Sequence, residues 1–162
     1  DYLTNESVLE LSEKPRSLII IGGGYIAVEF CHFFAAMGTK VTVLEMMDRL
    51  VTSEEPEISA TLQQALSKRA RILTGMKVES VSTGEGGVRV RARGTTGGGA
   101  RTFRAERLLC EGVRHERLRD HPVPVLFFKS LLNILCQNPV AVGRETFRVV
   151  NQFTIRANQA FP

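Results

Sequence analysis

Leu18-Ile19-Ile20-Ile21-Gly22-Gly23-Gly24-Tyr25-Ile26-Ala27-Val28-Glu29-Phe30 changes from strand to helix periodicity within one short span. Residues 16–21 are β-rich and apolar on both faces, as in a fully buried parallel strand. Gly22, Gly23 and Gly24 break that run. From Tyr25 onward, Ile26, Phe30, Phe33 and Met37 recur at helical spacing with Ala27, Cys31 and Phe34 beside them, giving a wide apolar helix face. Gly38 stands where a helix closes, and residues 40–45 read as a second apolar strand. Strand, glycine turn, helix and strand within about 30 residues form a βαβ unit, with parallel pairing through a right-handed crossover.

Upstream, Thr4-Asn5-Glu6-Ser7 before Val8, Leu9 and Leu11 reads as a short capped helix that Pro15 ends. Downstream, Glu54, Glu55 and Glu57 around Pro56 open a second helix, and Lys68 and Arg69 close it, all matched to the helix dipole. Ile58, Leu62, Ala65 and Leu66 supply its buried face, and residues 72–73 a third strand. Residues 77–82, 87–93 and 101–105 then read as short antiparallel strands joined by glycine-rich turns, with 108–110 returning to the parallel sheet. The expected fold class is α/β, a Rossmann-like parallel sheet with flanking helices and a small antiparallel β-meander in place of one crossover. Residues 1–16 are expected to be a lead-in helix and linker, 17–121 the domain that carries these elements, and 122–162 a divergent tail without a clear period.

At 162 residues, 43% hydrophobic and 23% charged, the chain has the composition of a soluble globular domain. No apolar stretch is long enough to span a membrane, and Asp1-Tyr2-Leu3-Thr4 does not open a secretory signal. The chain begins without Met, so its natural start is expected elsewhere. Cys31, Cys110 and Cys136 form no Cys-x-x-Cys pair, and their odd number argues against a secreted disulfide framework, so a cytoplasmic setting is expected. A net charge of +4 is too mild to make nucleic acid the expected partner. Arg89, Arg91 and Arg93 alternate with Val88, Val90 and Ala92, a solvated strand face without the stacking aromatics of RNA-binding sheets. His32, His115 and His121 show no metal-ligand spacing, and neither Gly-x-Ser-x-Gly nor a phosphate-loop lysine occurs. No metal ligand and no catalytic residue is assigned.

The chemistry lies in Gly22-x-Gly24-x-x-Ala27, the dinucleotide fingerprint with Ala in the third place. Gly22 permits the tight turn, Gly24 lets backbone approach a pyrophosphate, and Ala27 lets the helix pack closely on the sheet. The pyrophosphate would meet the free N–H groups at the helix start. Glu45 ends the second strand at about the 20-residue offset of the group that holds the adenosine ribose hydroxyls. A carboxylate there accepts hydroxyl protons and repels a 2′-phosphate, which favours NAD over NADP; Arg49 is the one nearby group placed to soften that preference. Such a site requires a bend left open by the protein's own side chains, with Glu45 facing it. FAD is an alternative ligand, because the same fingerprint serves it. A plain strand-to-helix turn is the other alternative.

The string from Leu18 to Phe30, joined to Gly38-Thr39-Lys40-Val41-Thr42-Val43-Leu44-Glu45, resembles the NAD-binding domain of the flavin-dependent pyridine nucleotide–disulfide oxidoreductases, in particular the dihydrolipoamide dehydrogenases. The resemblance runs to about Cys110. It implies that Gly22, Gly23, Gly24, Tyr25, Ile26, Ala27, Val28 and Glu29 line the pyrophosphate and nicotinamide side. Tyr25 would cover the nicotinamide pocket, and Glu29 would face the nicotinamide end. Glu45 would hold the ribose, Met46 and Thr52 stand where NADP-using members carry arginines, and Val78 would contact adenine through its backbone. Cys110-Glu111-Gly112 resembles the closing strand with its glycine, although Val140-Ala141-Val142-Gly143-Arg144 resembles that motif better and lies much later. From periodicity alone Tyr25 and Glu29 are ordinary helix residues.

The sequence holds no second fingerprint for FAD, no closely spaced redox cysteine pair and no C-terminal His-Glu pair. The expected function is therefore an NAD(H)-binding fragment that positions nicotinamide for hydride exchange with FAD in a parent enzyme. The partners are that parent's missing FAD-binding and dimerisation domains, and turnover by this chain alone is not expected. The alternatives are a non-catalytic NAD(H)-binding module or degenerate remnant and, further off, a basic nucleic-acid-binding protein.

Overall fold

The computed structural model describes residues 2–5 and 7–111. Expectations for Gly112, His115, His121, Cys136, Gly143 and the tail at 122–162 lie outside the described residues.

Strands β1 (Ser17–Ile21), β2 (Lys40–Leu44) and β3 (Arg71–Leu73) are followed by β4 (Met76–Gly84), β5 (Gly87–Gly94), β6 (Arg101–Ala105) and β7 (Arg107–Cys110). The helices α1 (Tyr25–Ala36) and α2 (Pro56–Leu66) occupy the crossovers from β1 to β2 and from β2 to β3. One sheet has the order β3-β2-β1-β7, and its pairs are parallel. The other is the antiparallel meander β4-β5-β6, in place of the crossover that would lead from β3 to β7.

β1 sits between β2 and β7, which explains its unbroken apolar run. Leu18, Ile19 and Ile20 are at most 1% exposed. Ile19, Leu44 and Leu108 share one core with Met76, Val88, Val90, Ala92, Phe103 and Ala105, so the apolar side of the meander covers one face of the parallel sheet. Strand alternation then turns Leu18, Ile20, Val41, Val43 and Leu109 to the opposite face, and α1 packs against β1 and β2. Burying Ile20 alone contributes roughly 1.5–3 kcal/mol by area.

The buried stripe of α1 is Ala27, Phe30, Cys31 and Phe34, whereas Met37 is exposed. The apolar face is thus rotated from the expected one and stops a residue early, because Met37 caps the helix instead of belonging to it. The Gly38 N–H donates to Ala35 O and the Thr39 N–H to Phe34 O, closing the helix with two reverse bonds. In α2, Pro56 opens the helix and Leu62 and Leu66 are buried. Lys68 and Arg69 fall beyond its last turn. Buried Ser59 was not expected; its hydroxyl donates to Leu50 O at 2.6 Å and pins the loop before α2.

The lead-in helix is a shorter element than expected. A 3-10 turn covers only Ser7–Glu10 and ends well before Pro15. The Ser7 N–H donates to Thr4 Oγ1 while the Thr4 N–H donates to Ser7 Oγ, a reciprocal cap. Just before it, Leu3 bridges to Leu109, covering the outer edge of β7.

Candidate functional site

The turn leaving β1 is shaped by what surrounds it. Gly22 has φ +113°, a left-handed conformation that favours glycine. Its N–H donates to Leu44 O, which ties the turn to the end of β2. A Cβ on Gly23 would lie 2.8 Å from both Glu45 and Leu50 side-chain atoms. Leu50 is fully buried, so it cannot yield. Beside it Val51 holds φ +40°, uncommon for a β-branched residue, and donates its N–H to Gly23 O at 2.8 Å. The loop after β2 is therefore clamped onto the glycine turn.

Glu45 faces that turn. One oxygen lies against Gly23 and the other accepts the Met47 N–H at 2.6 Å. The Met76 N–H donates to Glu45 O, which places the start of β4 beside the same point. Two residues on, Val78 is partly buried against the shared core, just before a bulge in β4. Arg49 does not serve the site. Its guanidinium donates to Glu54 O and Thr52 O and staples the loop internally. Met46 is exposed.

The expectation of an open bend is corrected by Glu111. This residue follows β7, and its backbone N–H donates to Ile21 O at 2.8 Å, which carries the side chain back over the turn. Its Oε2 accepts the Gly24 and Ala27 N–H groups, each at 3.1 Å. Two of the N–H donors at the start of α1 are thus already held by a carboxylate. The family resemblance likened Cys110-Glu111-Gly112 to a closing strand with its glycine but implied no role for Glu111, because the contact depends on β7 returning beside β1.

Three carboxylates gather here. Burial, with the neighbouring Glu111 charge second, pushes Glu29 on α1 up to about 7. Glu111 is also raised, chiefly by burial, against the lowering effect of the Ala27, Gly24 and Ile26 N–H groups, and Glu45 adds to the rise. Tyr25 is 40% exposed, and its hydroxyl bonds to Ser53 and Glu54 in the loop before α2. Desolvation first, then the Glu54 bond, raises its pKa. Ile26 and Val28 are half-buried beside buried Ala27, and Val28 donates its N–H to Gly24 O in the first turn. Cys31 lies in the core, its thiol pushed up to about 12 by burial. Among the described residues, no group of three or more His, Cys, Asp or Glu is placed to hold a metal ion. Nor is any helix among them long and apolar enough to cross a membrane.

The structure thus brings Gly22, Gly23, Gly24, Ala27, Glu29 and Glu45 around one turn, adds Glu111, and directs the Tyr25 hydroxyl to the neighbouring loop. It defines a class: open parallel α/β domains with a glycine-rich strand-to-helix turn and an acid at the next strand's end. A family profile described as pyridine nucleotide-disulphide oxidoreductase matches residues 17–97, half of the chain. The chain belongs to this family. It is 39% identical over 87 residues to dihydrolipoyl dehydrogenase of Chlorobaculum tepidum, covering 53% of this chain and 19% of that protein. It is 40% identical over 82 residues to mercuric reductase of Staphylococcus aureus, covering 50% and 15% respectively. The HOCl-induced flavoprotein disulfide reductase RclA from Escherichia coli, solved as a Cu(II) complex, aligns with a TM-score of 0.58 and 31% identity, covering 67% of this chain and 23% of that one. The chain spans less than a quarter of the length of each of these relatives.

Proposed function

We propose that the turn from Gly22 to Glu29 binds the diphosphate of NAD(H), that Glu45 holds the adenosine ribose, and that the chain serves as the nucleotide-handling part of a flavin-dependent disulfide oxidoreductase of the dihydrolipoamide dehydrogenase type. One observation carries this proposal: the turn already holds an anion through the main-chain amides of Gly24 and Ala27, with a second carboxylate facing it from the end of β2. Amides at a helix start bind phosphate oxygens by the same geometry. Bound NAD would supply the hydride-carrying nicotinamide ring. The chain would supply orientation, with Tyr25 and Glu29 at the nicotinamide end and Val78 at the adenine. FAD would be held by other parts of a parent enzyme.

Calorimetric titration of the 162-residue chain with NADH and NADPH tests the assignment. NADH is expected to bind more tightly, and Glu45→Ala to weaken NADH roughly tenfold, the worth of a charge-assisted hydrogen bond, while leaving NADPH little changed. Equal affinities for the two nucleotides in the unaltered chain remove Glu45 as the discriminating group.

The Glu111 contact favours a second reading, a remnant whose cradle serves only its own fold. In that case neither NADH nor NADPH binds, before or after substitution.

A further inference from the structure

Oε2 of Glu111 occupies the amide cradle that the NAD(H) assignment gives to a diphosphate oxygen. It takes two N–H donors of the fingerprint, and its other oxygen would lie 2.6 Å from a Cβ on Gly24, in the space that glycine leaves for close approach. No nucleotide can use those donors while this carboxylate holds them. We propose that Glu111 is a built-in competitor of the nucleotide, a tethered anion that must swing out before a dinucleotide diphosphate can bind. This rests on the NAD(H) assignment above and adds to it a residue that sets the affinity of the site.

The contact is suited to exchange. The Glu111 backbone is fixed by its bond to Ile21 O, so leaving requires rotation of the side chain alone. Charge-assisted bonds to the turn hold it in. Two neighbours work against it, Glu29 from α1 and Glu45 from the end of β2. A tethered carboxylate also costs no translational freedom on docking, whereas a free nucleotide does. The tether therefore lets a single charge compete with a diphosphate.

The test compares NADH binding to the unaltered 162-residue chain, Glu111→Ala and Glu111→Gln, with far-UV circular dichroism and a thermal melt on each. Glu111→Ala is expected to bind NADH on the order of tenfold more tightly, since the lost competitor is a charged hydrogen-bonding group. Glu111→Gln, which keeps the shape without the charge, is expected to fall between. If Glu111→Ala does not fold, the Gln variant decides. NADH affinity that is unchanged or weaker in the folded variants overturns the competitor and leaves the NAD(H) assignment standing. Absence of NADH binding in every form overturns both.

Discussion

At the end of β1 a Cβ on Gly24 would come within 2.6 Å of a Glu111 carboxylate oxygen, whereas at the start of β5 a Cβ on Gly87 would come within 2.4 Å of the Ala105 carbonyl oxygen. The two glycines look alike in sequence, each following another glycine at the edge of a strand. The first is crowded by the far end of a side chain that can rotate away. The second is crowded by the backbone of β6, which cannot, and Gly87 also holds φ +99°. Clearance for a ligand and clearance for a neighbouring strand thus use the same residue type, and only the nature of the obstructing atom tells them apart.

Alanine substitution turns that contrast into a measurement. Gly87→Ala is expected to cost about 3 kcal/mol in urea denaturation, from backbone strain and a fixed clash together. Gly24→Ala is expected to cost distinctly less, because the Glu111 carboxylate moves aside. Equal losses at the two positions break the distinction between a movable and a fixed obstruction.

The carboxylates around the first turn make its stability depend on pH. The Glu29 carboxyl titrates near 4.5 when unfolded and near 7 in the fold. Between those values the folded chain holds a proton that the unfolded chain has released, so stability falls as pH rises through this window. The loss should amount to about 2 kcal/mol, allowing for partial exposure and for protons shared with Glu111. Urea midpoints at pH 5 and pH 8 measure it, and Glu29→Gln should flatten the difference. A midpoint that rises over this range contradicts burial as the dominant effect on Glu29.

Much of this was legible in the sequence for reasons that are local. The change from an all-apolar run to helical spacing at Gly22–Gly24 located β1, α1 and β2, and the alternation of Val88, Val90 and Ala92 with arginines located β5 and its buried side. The offset to Glu45 placed an acid at the turn, where the structure has it. The remainder depends on contacts between distant segments or on residues used against their preferences. Glu111 reaches Gly24 only because β7 pairs with β1. Val51 is a poor choice for a left-handed conformation and gave no signal, although its N–H clamps Gly23. Arg49, a candidate cofactor neighbour by sequence, serves the carbonyls of its own loop.

The arginine face of the meander provides the weakest effect and the other limit of the comparison. A register shift between Val78 and Ser80 bulges β4 at Glu79, whose carboxylate reaches Arg93 at 2.8 Å and Arg91 at 3.1 Å. The sequence showed the arginines but not the bulge, since one extra residue leaves no mark on the alternation of β5. Side-chain exposure of 49% for Arg93 and 57% for Arg91 leaves both pairs open to water and salt. Pairs of this kind rarely contribute measurably. Glu79→Gln is therefore expected to leave the urea midpoint unchanged within error, at low and at high salt. A loss as large as that of Gly24→Ala would mean that the bulge depends on its charge, and that the meander, like the glycine turn, is organised around a carboxylate.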